Sequence, residues 1–255
     1  MIDLKNKFIR KCPNWLFAPV SNTYYELSSK LSSKEKIKIK KVEDMWLVQK
    51  GELKLLSPTP KFLGFGYRVF ENKFEAVLKI EKGETVLDIG ACIGDTTIPM
   101  AVKTGPIGKV IAVEPHPTNI EYLKLNLREF NNVEIIDKAL WNEKGTIKFN
   151  VHDTPTGHSI LEHKERSRHI EIQCDTLDNL FADRKINFAK IDVQGAEAQV
   201  LEGGTQFLKT TRKLVVETHD HYDEKKRTFP RVMQILTENG YKTRLTMGFV
   251  VHAWK

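Results

Sequence analysis

The chain has 255 residues, of which 40% are hydrophobic and 29% are charged, and its formal net charge is +7. These values are typical of a soluble globular protein, and no apolar run is long enough to span a bilayer. The amino terminus lacks the apolar core of a secretory signal, and the three widely spaced cysteines favour neither a disulfide framework nor a zinc ribbon. We therefore expect a cytoplasmic protein.

Residues 1–80 are predicted to form a separate N-terminal extension of mixed helix and strand. A helix is predicted over 24–31 and a hairpin over 46–56. The aromatic, glycine-rich segment 62–67 is interpreted either as a lid over a pocket or as a packed loop. The lysine-rich run 34–41 is either a solvated face or an electrostatic guide for an acidic substrate.

Strand and helix patterns alternate through residues 81–255, which predicts a doubly wound α/β domain with a mostly parallel, seven-stranded sheet. Two pairs of strands are expected to be antiparallel. Strands 145–151 and 169–174 alternate polar and apolar residues, as half-exposed strands do, and strands 241–245 and 249–254 complete the sheet. The predicted strands cover 85–89, 110–114, 133–137, 145–151, 169–174, 188–193, 213–217, 241–245 and 249–254. The predicted helices cover 95–103, 118–130, 177–181, 196–208 and 227–238.

The most informative segment begins at Glu84, where an apolar run ends in Asp88 and is followed by Gly90 and Gly94. A strand, a tight glycine turn and a helix start in this order build a nucleotide pocket. The segment lacks both the third glycine of a dinucleotide fingerprint and the Gly-Lys-Ser/Thr of a Walker phosphate loop. Glu114 ends the next predicted strand, where its carboxylate can accept both hydrogens of a ribose diol.

The pattern Asp-x-Gly-x-x-x-Gly of this segment resembles the first motif of S-adenosylmethionine-dependent methyltransferases. Over roughly residues 84–220, the sequence resembles one family of these enzymes, the FkbM methyltransferases. The segments that carry the resemblance are Val86–Asp95, Val113–Pro117, Asn126, Ala139-Leu140, Asp175–Asp178, Lys190–Glu197, Val200–Gly203 and Glu217–His219. The resemblance implies a Rossmann-like class I methyltransferase fold, S-adenosylmethionine as cofactor and, commonly, methyl transfer to oxygen.

The resemblance also indicates which residues hold the cofactor. Asp88 and Gly90 are assigned to its methionine end, Glu114 to its ribose, and Ala139 with Leu140 to its adenine. The full set of predicted cofactor-binding residues is Asp88, Gly90, Ala91, Gly94, Asp95, Glu114, Pro115, Ala139 and Leu140. The chain departs from the family at Gln194, where the family usually has Glu, and this puts the substrate type or the activity in question.

Carboxylates and a histidine at the ends of the later strands are predicted to serve the methyl acceptor. Asp192 is expected to act as general base, with His219 as its partner and Glu197 as a third catalytic residue. Each has another interpretation: Asp192 as a helix cap, Glu197 as a favourable charge in a first helical turn, and His219 as a packed strand-end residue. We predict no metal in the site, although Asp192, Glu217 and His219 form an alternative metal site.

We therefore expect an O-methyltransferase whose acceptor is a small molecule or a glycan with a sugar-like hydroxyl, and the extension 1–80 is expected to act on the acceptor side. RNA methylation at ribose or a ring nitrogen is the alternative that the positive charge leaves open. The segment Asp192–Gly195 lacks the Asn/Asp-Pro-Pro-Tyr/Phe of base amino-methyltransferases, which argues against exocyclic nitrogen. A non-catalytic cofactor-binding module is the third hypothesis, and Gln194 keeps it open.

Overall fold

The computed structural model describes residues 37–60, 67–151, 168–219 and 228–255. The helix predicted over 24–31 and nearly all of the segment 62–67 lie outside these ranges. The chain divides into two compact units, residues 1–66 and 67–255, which we describe separately.

The described part of the first unit is a three-stranded antiparallel sheet. Its strands, which lie side by side in chain order, are β1 (Ile37–Val42), β2 (Met45–Lys50) and β3 (Leu53–Ser57). The hairpin predicted over 46–56 is confirmed as β2 and β3, and Gly51 has the positive φ of 57° that its tight turn requires. Ile39, Val48 and Leu55 are buried, so one central residue of each strand contributes to an apolar face.

The second unit alternates strands and helices along the chain. Its strands within the described residues are β4 (Thr85–Ile89), β5 (Lys109–Val113), β6 (Val133–Ile136), β7 (Ala139–Leu140), β8 (Gly145–Val151), β9 (Arg168–Asp175), β10 (Phe188–Ile191), β11 (Lys213–Glu217), β12 (Lys242–Thr246) and β13 (Val250–Trp254). Its helices there are α1 (Tyr67–Lys73), α2 (Thr97–Thr104), α3 (Pro117–Leu127), α4 (Leu177–Phe181), α5 (Glu197–Glu202), α6 (Thr205–Thr210) and α7 (Thr228–Glu238). None of these helices is long and apolar enough to cross a membrane.

Seven of the strands form one sheet in the order β12-β13-β11-β10-β4-β5-β6. The neighbours from β11 to β6 are parallel, whereas β13 runs antiparallel to both β11 and β12. The predicted α/β fold with a mostly parallel, seven-stranded sheet is therefore confirmed. Near-continuous apolar runs give the central strands of this sheet two buried faces, which is the pattern of parallel strands covered on both sides.

Alternate residues of the central strands enter two different apolar cores. Val86, Val110, Phe188 and Val215 pack in one core, together with Phe70, Phe74, Ile80, Met100, Ala101 and Val250. Leu87, Ile111, Ala189 and Leu214 point the other way and pack with residues of α5, α6 and α7, among them Val200, Phe207 and Leu236. The period of two along each strand thus places one layer of side chains on each face of the sheet.

The boundary between the two units falls before residue 67 and not near residue 80. The reason is that Phe70 and Phe74, in and just after α1, are 2% exposed each, and Ile80 is 7% exposed. All three belong to the core that covers one face of the large sheet. Residues 67–80 are therefore part of the second unit, because their apolar side chains complete its core.

The helix predicted over 196–208 is divided into α5 and α6 at Gly203-Gly204. A Cβ atom on Gly203 would lie 2.4 Å from the carbonyl oxygen of Trp141, so the chain turns where only glycine fits. Asp178 then accepts hydrogen bonds from the backbone N–H groups of Gln206 and Phe207, at 2.9 and 2.7 Å, at the start of α6. These tertiary contacts override a helical period that continues through the break.

A second, smaller sheet has the order β7-β9-β8. Strands β8 and β9 are antiparallel, as predicted, but the two-residue strand β7 also pairs with β9, in parallel. Ala139, Phe149, Ile172 and Cys174 form its apolar core. Because β7 follows directly on β6, this sheet continues the chain from the edge of the large sheet.

Candidate functional site

The site lies where the chain changes direction in the large sheet. From β4 the chain moves outward to β5 and β6, and it returns to β10 on the other side of β4. In open α/β sheets, ligands bind at such a switch point, beyond the carboxyl ends of the two strands. A cofactor and an acceptor are therefore expected to bind at the loops that follow β4 and β10.

Gly90 brings these two loops into direct contact. It has a φ of 78°, and a Cβ atom on it would lie 1.9 Å from the carbonyl oxygen of Asp192. The backbone N–H of Asp192 also donates to the carbonyl of Ile89, at 3.1 Å. No residue other than glycine fits between the loops, so Gly90 allows the two loops to lie in direct contact.

Asp88 supports the cofactor loop from within the protein. Its side chain is fully buried, and Oδ2 accepts hydrogen bonds from the hydroxyls of Thr96 and Thr97 at 2.9 and 2.7 Å. Its Oδ1 forms an ion pair with Lys190 Nζ at 3.1 Å. With both oxygens contacted by protein groups, Asp88 holds the loop in shape, and its contact with the methionine end of a cofactor stays a prediction.

Glu114 lies directly after β5, at the position expected for a ribose-binding carboxylate. Its Oε1 accepts from His116 N and Asn119 Nδ2, at 3.0 and 3.2 Å, and its Oε2 accepts from Cys92 N at 2.9 Å. Burial raises the pKa of Glu114 to about 7 against these hydrogen bonds. A carboxylate has about four acceptor sites, so three fixed donors hold the group in place and leave acceptor capacity for a ligand hydroxyl.

Four more predicted cofactor residues lie on the same two loops. Ala91 and Gly94 are buried, whereas Asp95 and Pro115 are partly exposed. The N–H of Ala91 donates to the carbonyl of Val113 at 3.1 Å, which closes the turn against β5. Burial raises the pKa of Asp95 to about 6, although the charge of Lys190 opposes the shift. The structure thus brings these residues together with Gly90 and Glu114 at one edge of the sheet.

Ala139 and Leu140, the residues predicted to lie at the adenine, occupy a different position. They form β7, and they are only 2% and 3% exposed. Ala139 packs in the core of the small sheet and Leu140 in a core of the large one. Their contact with an adenine stays a prediction.

Asp192, Glu217 and His219 meet at the ends of β10 and β11. His219 Nε2 lies 3.7 Å from Asp192 Oδ1 and 3.8 Å from Glu217 Oε1. One ligand atom from each residue can be chosen such that all three lie within 4.8 Å of one another, an arrangement that can hold a metal ion. Asp192 and His219 are thus neighbours, as we predicted from their places on adjacent strands.

Glu197 lies behind His219 and is fully buried. Its Oε1 is 2.9 Å from His219 Nδ1 and accepts the backbone N–H of Gly195, also at 2.9 Å. The carboxylate therefore fixes the orientation of the imidazole and directs Nε2 toward Asp192 and Glu217. This contact makes Glu197 a positioning residue in the site.

The charges of this cluster shift the pKa of each member. Burial lowers the pKa of His219, but the hydrogen bond to Glu197 and the charge of Asp192 raise it to about 9. Burial, followed by the charge of Asp192, raises the pKa of Glu217 to about 7. Burial also opposes ionisation of Asp192, yet Lys190 and His219 hold its pKa below the ordinary value. The cluster therefore carries a proton-accepting group matched to neutral pH.

Gln194 occupies the turn between β10 and α5. Its Nε2 lies 3.0 Å from Asp192 Oδ1 and 3.1 Å from His219 Nε2, so the amide bridges the two side chains. Its φ of 57° is unusual for a residue with a side chain, and such backbone conformations concentrate at functional sites. The departure from the family pattern therefore lies inside the cluster, in contact with both predicted catalytic groups.

Two lysines in the site were not identified from the sequence. Lys190, 1% exposed, donates to the carbonyl of Gly90 at 2.9 Å and lies opposite Asp88 in the pairing of β10 with β4. Lys73 forms an ion pair with Glu217 Oε2. The signal for Lys190 was a charge in the middle of an apolar strand run, because a buried lysine requires carboxylate partners.

Comparisons with known proteins agree with this geometry. A model of the Methyltransferase FkbM domain matches residues 88–243, which is more than half of the chain. The crystal structure of Methyltransferase FkbM from Methylobacillus flagellatus KT superimposes with a TM-score of 0.52 at 16% identity, over 75% of this chain and 47% of that one. At this identity, the structural likeness supports the fold alone.

Two curated relatives differ in their named substrates. The chain is 28% identical over 168 residues to the hexuronic acid methyltransferase AglP of Haloferax volcanii, which covers 65% of this chain and 66% of that protein. It is 41% identical over 80 residues to a probable ribosomal RNA small subunit methyltransferase A of Methanosphaera stadtmanae, which covers 29% and 28%. The chain therefore spans less than two thirds of the length of either relative.

The family match covers the loop after β4, Glu114 and the cluster around Asp192, which are the features that the geometry had already placed at one sheet edge. Gly90, Gly94 and Glu114, which were predicted to bind S-adenosylmethionine, all lie within the matched range. The chain belongs to the FkbM family of methyltransferases, and its cofactor is S-adenosylmethionine.

Proposed function

We propose that the protein transfers a methyl group to a hydroxyl of a sugar-like small molecule or glycan. The observation that carries the proposal is the contact of the two loops at Gly90, where a Cβ atom would lie 1.9 Å from Asp192 O. This contact sets the cofactor loop beside a cluster of proton-accepting side chains. Methyl transfer to oxygen requires that juxtaposition, because a hydroxyl is a poor nucleophile until it loses its proton.

Bound S-adenosylmethionine supplies an activated methyl group. In the proposal, Glu114 accepts the hydrogens of the ribose diol, and the methionine tail lies along the loop that begins at Gly90. Asp88 and Lys190 hold the loop in the shape that this binding needs, since Lys190 joins Asp88 to the carbonyl of Gly90. The protein thus provides alignment, which is the larger part of its task in a displacement reaction.

Asp192 and Glu217 receive the proton of the acceptor hydroxyl in the proposed mechanism. Asp192 is partly exposed and faces His219, while Glu217, with a pKa near 7, is the member that can retain a proton at neutral pH. His219 keeps Asp192 ionised through its positive charge, and Glu197 keeps His219 oriented. General-base catalysis of this kind contributes typically about 10²–10⁴-fold.

RNA methylation is the second candidate, and one structural observation favours it. Three lysines of β1, Lys38, Lys40 and Lys41, are exposed on the first unit, and a strip of positive charge attracts a phosphate backbone. A non-catalytic cofactor-binding module is the third, because Gln194 ties up Asp192 and His219 through its amide. The similarity to a hexuronic acid methyltransferase and the proton-accepting cluster support methyl transfer to a sugar-like hydroxyl over the other two candidates.

The experiment is a methyl-transfer assay with radiolabelled S-adenosylmethionine and three acceptor panels: hexuronic acids and their glycosides, neutral hexoses, and RNA. We expect label in the first or second panel, attached as a methyl ether, and loss of label with Asp192→Asn. Transfer to RNA with a steep fall on added salt would replace the proposal with the second candidate. Cofactor binding without transfer to any panel would favour the third.

The first unit is proposed to act on the acceptor and not on the cofactor. A chain that begins at residue 67 retains Phe70 and Phe74, which are buried in the core of the second unit. We expect it to bind S-adenosylmethionine with unchanged affinity by calorimetry and to lose methyl transfer. A chain that begins at Phe74 is the control, because losing the buried Phe70 costs about 3–5 kcal/mol of stability. Full turnover by the chain from residue 67 would refute this role.

A further inference from the structure

The cluster of Asp192, Glu217 and His219 has the composition of a cation site. It combines one imidazole nitrogen with two carboxylates, and Glu217 and His219 are each only 7% exposed. With metal–ligand distances of about 2.1 Å, two ligand atoms on one ion lie up to about 4.2 Å apart. The distances from His219 Nε2 to Asp192 Oδ1 and Glu217 Oε1, 3.7 and 3.8 Å, fall within that span.

The imidazole is also held in the way that metal-ligating histidines are held. Its Nδ1 contacts the buried carboxylate of Glu197 at 2.9 Å, and that carboxylate is itself fixed by the N–H of Gly195. A carboxylate behind the far nitrogen sets the tautomer in which Nε2 offers a lone pair, and it raises the basicity of that nitrogen. This second contact is independent of Asp192 and Glu217, and it aims Nε2 at both.

The balance of charge in the cluster favours a cation. Three carboxylates, those of Asp192, Glu197 and Glu217, surround one imidazole at the ends of β10 and β11. Lys190 divides its charge between Asp88 and Asp192, and Lys73 forms an ion pair with Glu217 through Oε2. Glu217 Oε1 and Asp192 Oδ1 thus face each other and the imidazole across a space where a positive charge is stabilised.

We propose that Asp192, Glu217 and His219 bind one divalent first-row cation, with Mn²⁺ as the probe. A ligand set of one imidazole and two carboxylates suits Mn²⁺, Fe²⁺ or Zn²⁺ better than an all-oxygen ion such as Ca²⁺. This inference departs from our expectation of a site without metal. Cation binding stands by itself, whereas its use in turnover rests on the proposed methyl transfer.

Gln194 makes the inference specific to this chain. Its amide Nε2 occupies the space between Asp192 Oδ1 and His219 Nε2, where the cation binds. For binding, the amide must turn its oxygen toward the ion or move away, which costs two hydrogen bonds. A glutamate at this position, the usual residue of the family, would add a negative ligand instead. The amide therefore weakens cation binding and tunes it.

With a cation in place, the acceptor hydroxyl would bind to it as a further ligand. Polarisation of the O–H bond lowers the pKa of the hydroxyl, and the proton leaves to solvent water. Asp192 and Glu217 are then ligands and no longer receive the proton. The cation would thus supply positive charge to the cluster of carboxylates.

The test is a Mn²⁺ titration of the full chain after chelator treatment and dialysis, with free Mn²⁺ counted by electron paramagnetic resonance. We expect one saturable equivalent per chain. Glu217→Gln and His219→Ala should weaken binding by at least about tenfold, and Glu197→Gln by about 10–100-fold because it removes the support of the ligand. Gln194→Glu should tighten binding. Glu134→Gln, which removes a carboxylate from an ion pair with Lys109 and Arg184, should change nothing.

Folding is checked by thermal melting and by S-adenosylmethionine binding, which the cluster variants should retain. If a variant at Glu217 or His219 does not fold, the Mn²⁺ affinity of Asp192→Asn is measured instead. The inference is overturned by the absence of saturable Mn²⁺ binding, or by affinities in these variants equal to that of Glu134→Gln. A Gln194→Glu variant that binds Mn²⁺ more weakly than the natural chain would also contradict it.

Turnover separates this inference from the proposed function. Full methyl transfer in the presence of a chelator would remove the cation from the mechanism and leave the O-methyltransferase proposal intact. Saturable Mn²⁺ binding without transfer to any hydroxyl acceptor would support the cation site and contradict the O-methyltransferase proposal. Recovery of transfer on adding Mn²⁺ to chelated protein, and no recovery in His219→Ala, is the result that supports both.

Discussion

The loops after β4 and β10 have similar backbones but differ in how their carboxylates are held. Each loop has one residue with a side chain in the left-handed region, Cys92 in the first and Gln194 in the second. Glycines with positive φ are Gly90 and Gly94 in the first loop and Gly195 in the second. On the first side, Glu114 accepts mainly from backbone N–H groups. On the second side, Asp192 and Glu217 face His219, Gln194 and lysine side chains.

In the proposed function, this difference separates a cofactor half that the fold prearranges from an acceptor half that side chains compose. Backbone donors stay in place whenever the sheet forms, so the cofactor half depends on the fold. A cluster of ionisable side chains depends instead on the identity of each member, because removing one leaves buried charges without partners. Substitutions in the acceptor half should therefore change the charge balance and the chemistry of the cluster, and those in the cofactor half should change binding.

The largest effect is expected from Gly90→Ala, which breaks both halves at once. The added Cβ would lie 1.9 Å from Asp192 O, so the two loops must separate. We expect no measurable S-adenosylmethionine binding by calorimetry and a loss of about 3 kcal/mol or more in stability. Gly240→Ala is the matched control, because Gly240 has a similar φ of 76° with nothing within 4 Å of its Cβ position. It should cost only about 1–2 kcal/mol and leave binding unchanged.

The next largest effect should come from Asp192→Asn, in the acceptor half alone. The amide cannot accept the acceptor proton and is a poorer ligand for a cation. We expect turnover to fall by about a hundredfold or more, with cofactor affinity and melting temperature nearly unchanged. His219→Ala should lower turnover less, since it acts through Asp192. A variant that melts earlier but keeps its turnover per folded molecule would identify Asp192 as a helix cap.

The sequence predicts more of the cofactor half of the site than of the acceptor half. Asp88, Gly90 and Glu114 are predictable because each ends or follows an apolar strand run, and strand ends meet at one edge. The support of His219 by Glu197 was not predictable, since no local pattern connects a helix start with a residue at the end of a different strand. Lys190 was missed because the apolar run around it predicted only a strand, and its partners are set by the pairing of β10 with β4.

The secondary structure is likewise predictable only where its signal is local in the sequence. Strands β4, β8 and β11 and helix α4 have the predicted bounds, because periodicity and turn residues are local signals. The two-residue strand β7 exists only through its pairing with β9. The break at Gly203 is likewise caused by the close approach of Trp141. Elements that other segments impose on the chain have no local signal to reveal them.

A smaller effect is expected from Glu114→Ala, in the cofactor half alone. The variant loses the proposed ribose acceptor and also the hydrogen bonds from the N–H groups of Cys92 and His116. A charge-assisted hydrogen bond contributes about 1.5–3 kcal/mol, so binding of S-adenosylmethionine should weaken by about tenfold or more. Calorimetry measures the affinity, and circular dichroism checks that the fold persists. Unchanged affinity would remove Glu114 from the cofactor site.

The smallest effect, and the sharpest test of the cofactor half, is the pH dependence of binding. Burial raises the pKa of Glu114 to about 7, and its carboxylate must be ionised to accept ribose hydroxyls fully. Affinity for S-adenosylmethionine should therefore increase with pH, by about threefold between pH 6.5 and 7.5, where the ionised fraction rises. Glu114→Ala should lose most of this dependence.

The stability of the protein without cofactor should change in the opposite direction over the same range. A carboxyl whose pKa is higher in the folded state contributes stability below its unfolded pKa, near 4.5, and loses it as the pH rises through about 7. The melting temperature without cofactor should thus fall toward neutral pH, while the increase produced by S-adenosylmethionine grows. Burial raises the pKa of Asp95 to about 6, so this carboxyl adds to the same fall in stability as the pH rises through about 6. An affinity that is flat or falls between pH 6.5 and 7.5 would contradict the binding of ribose by an ionised Glu114.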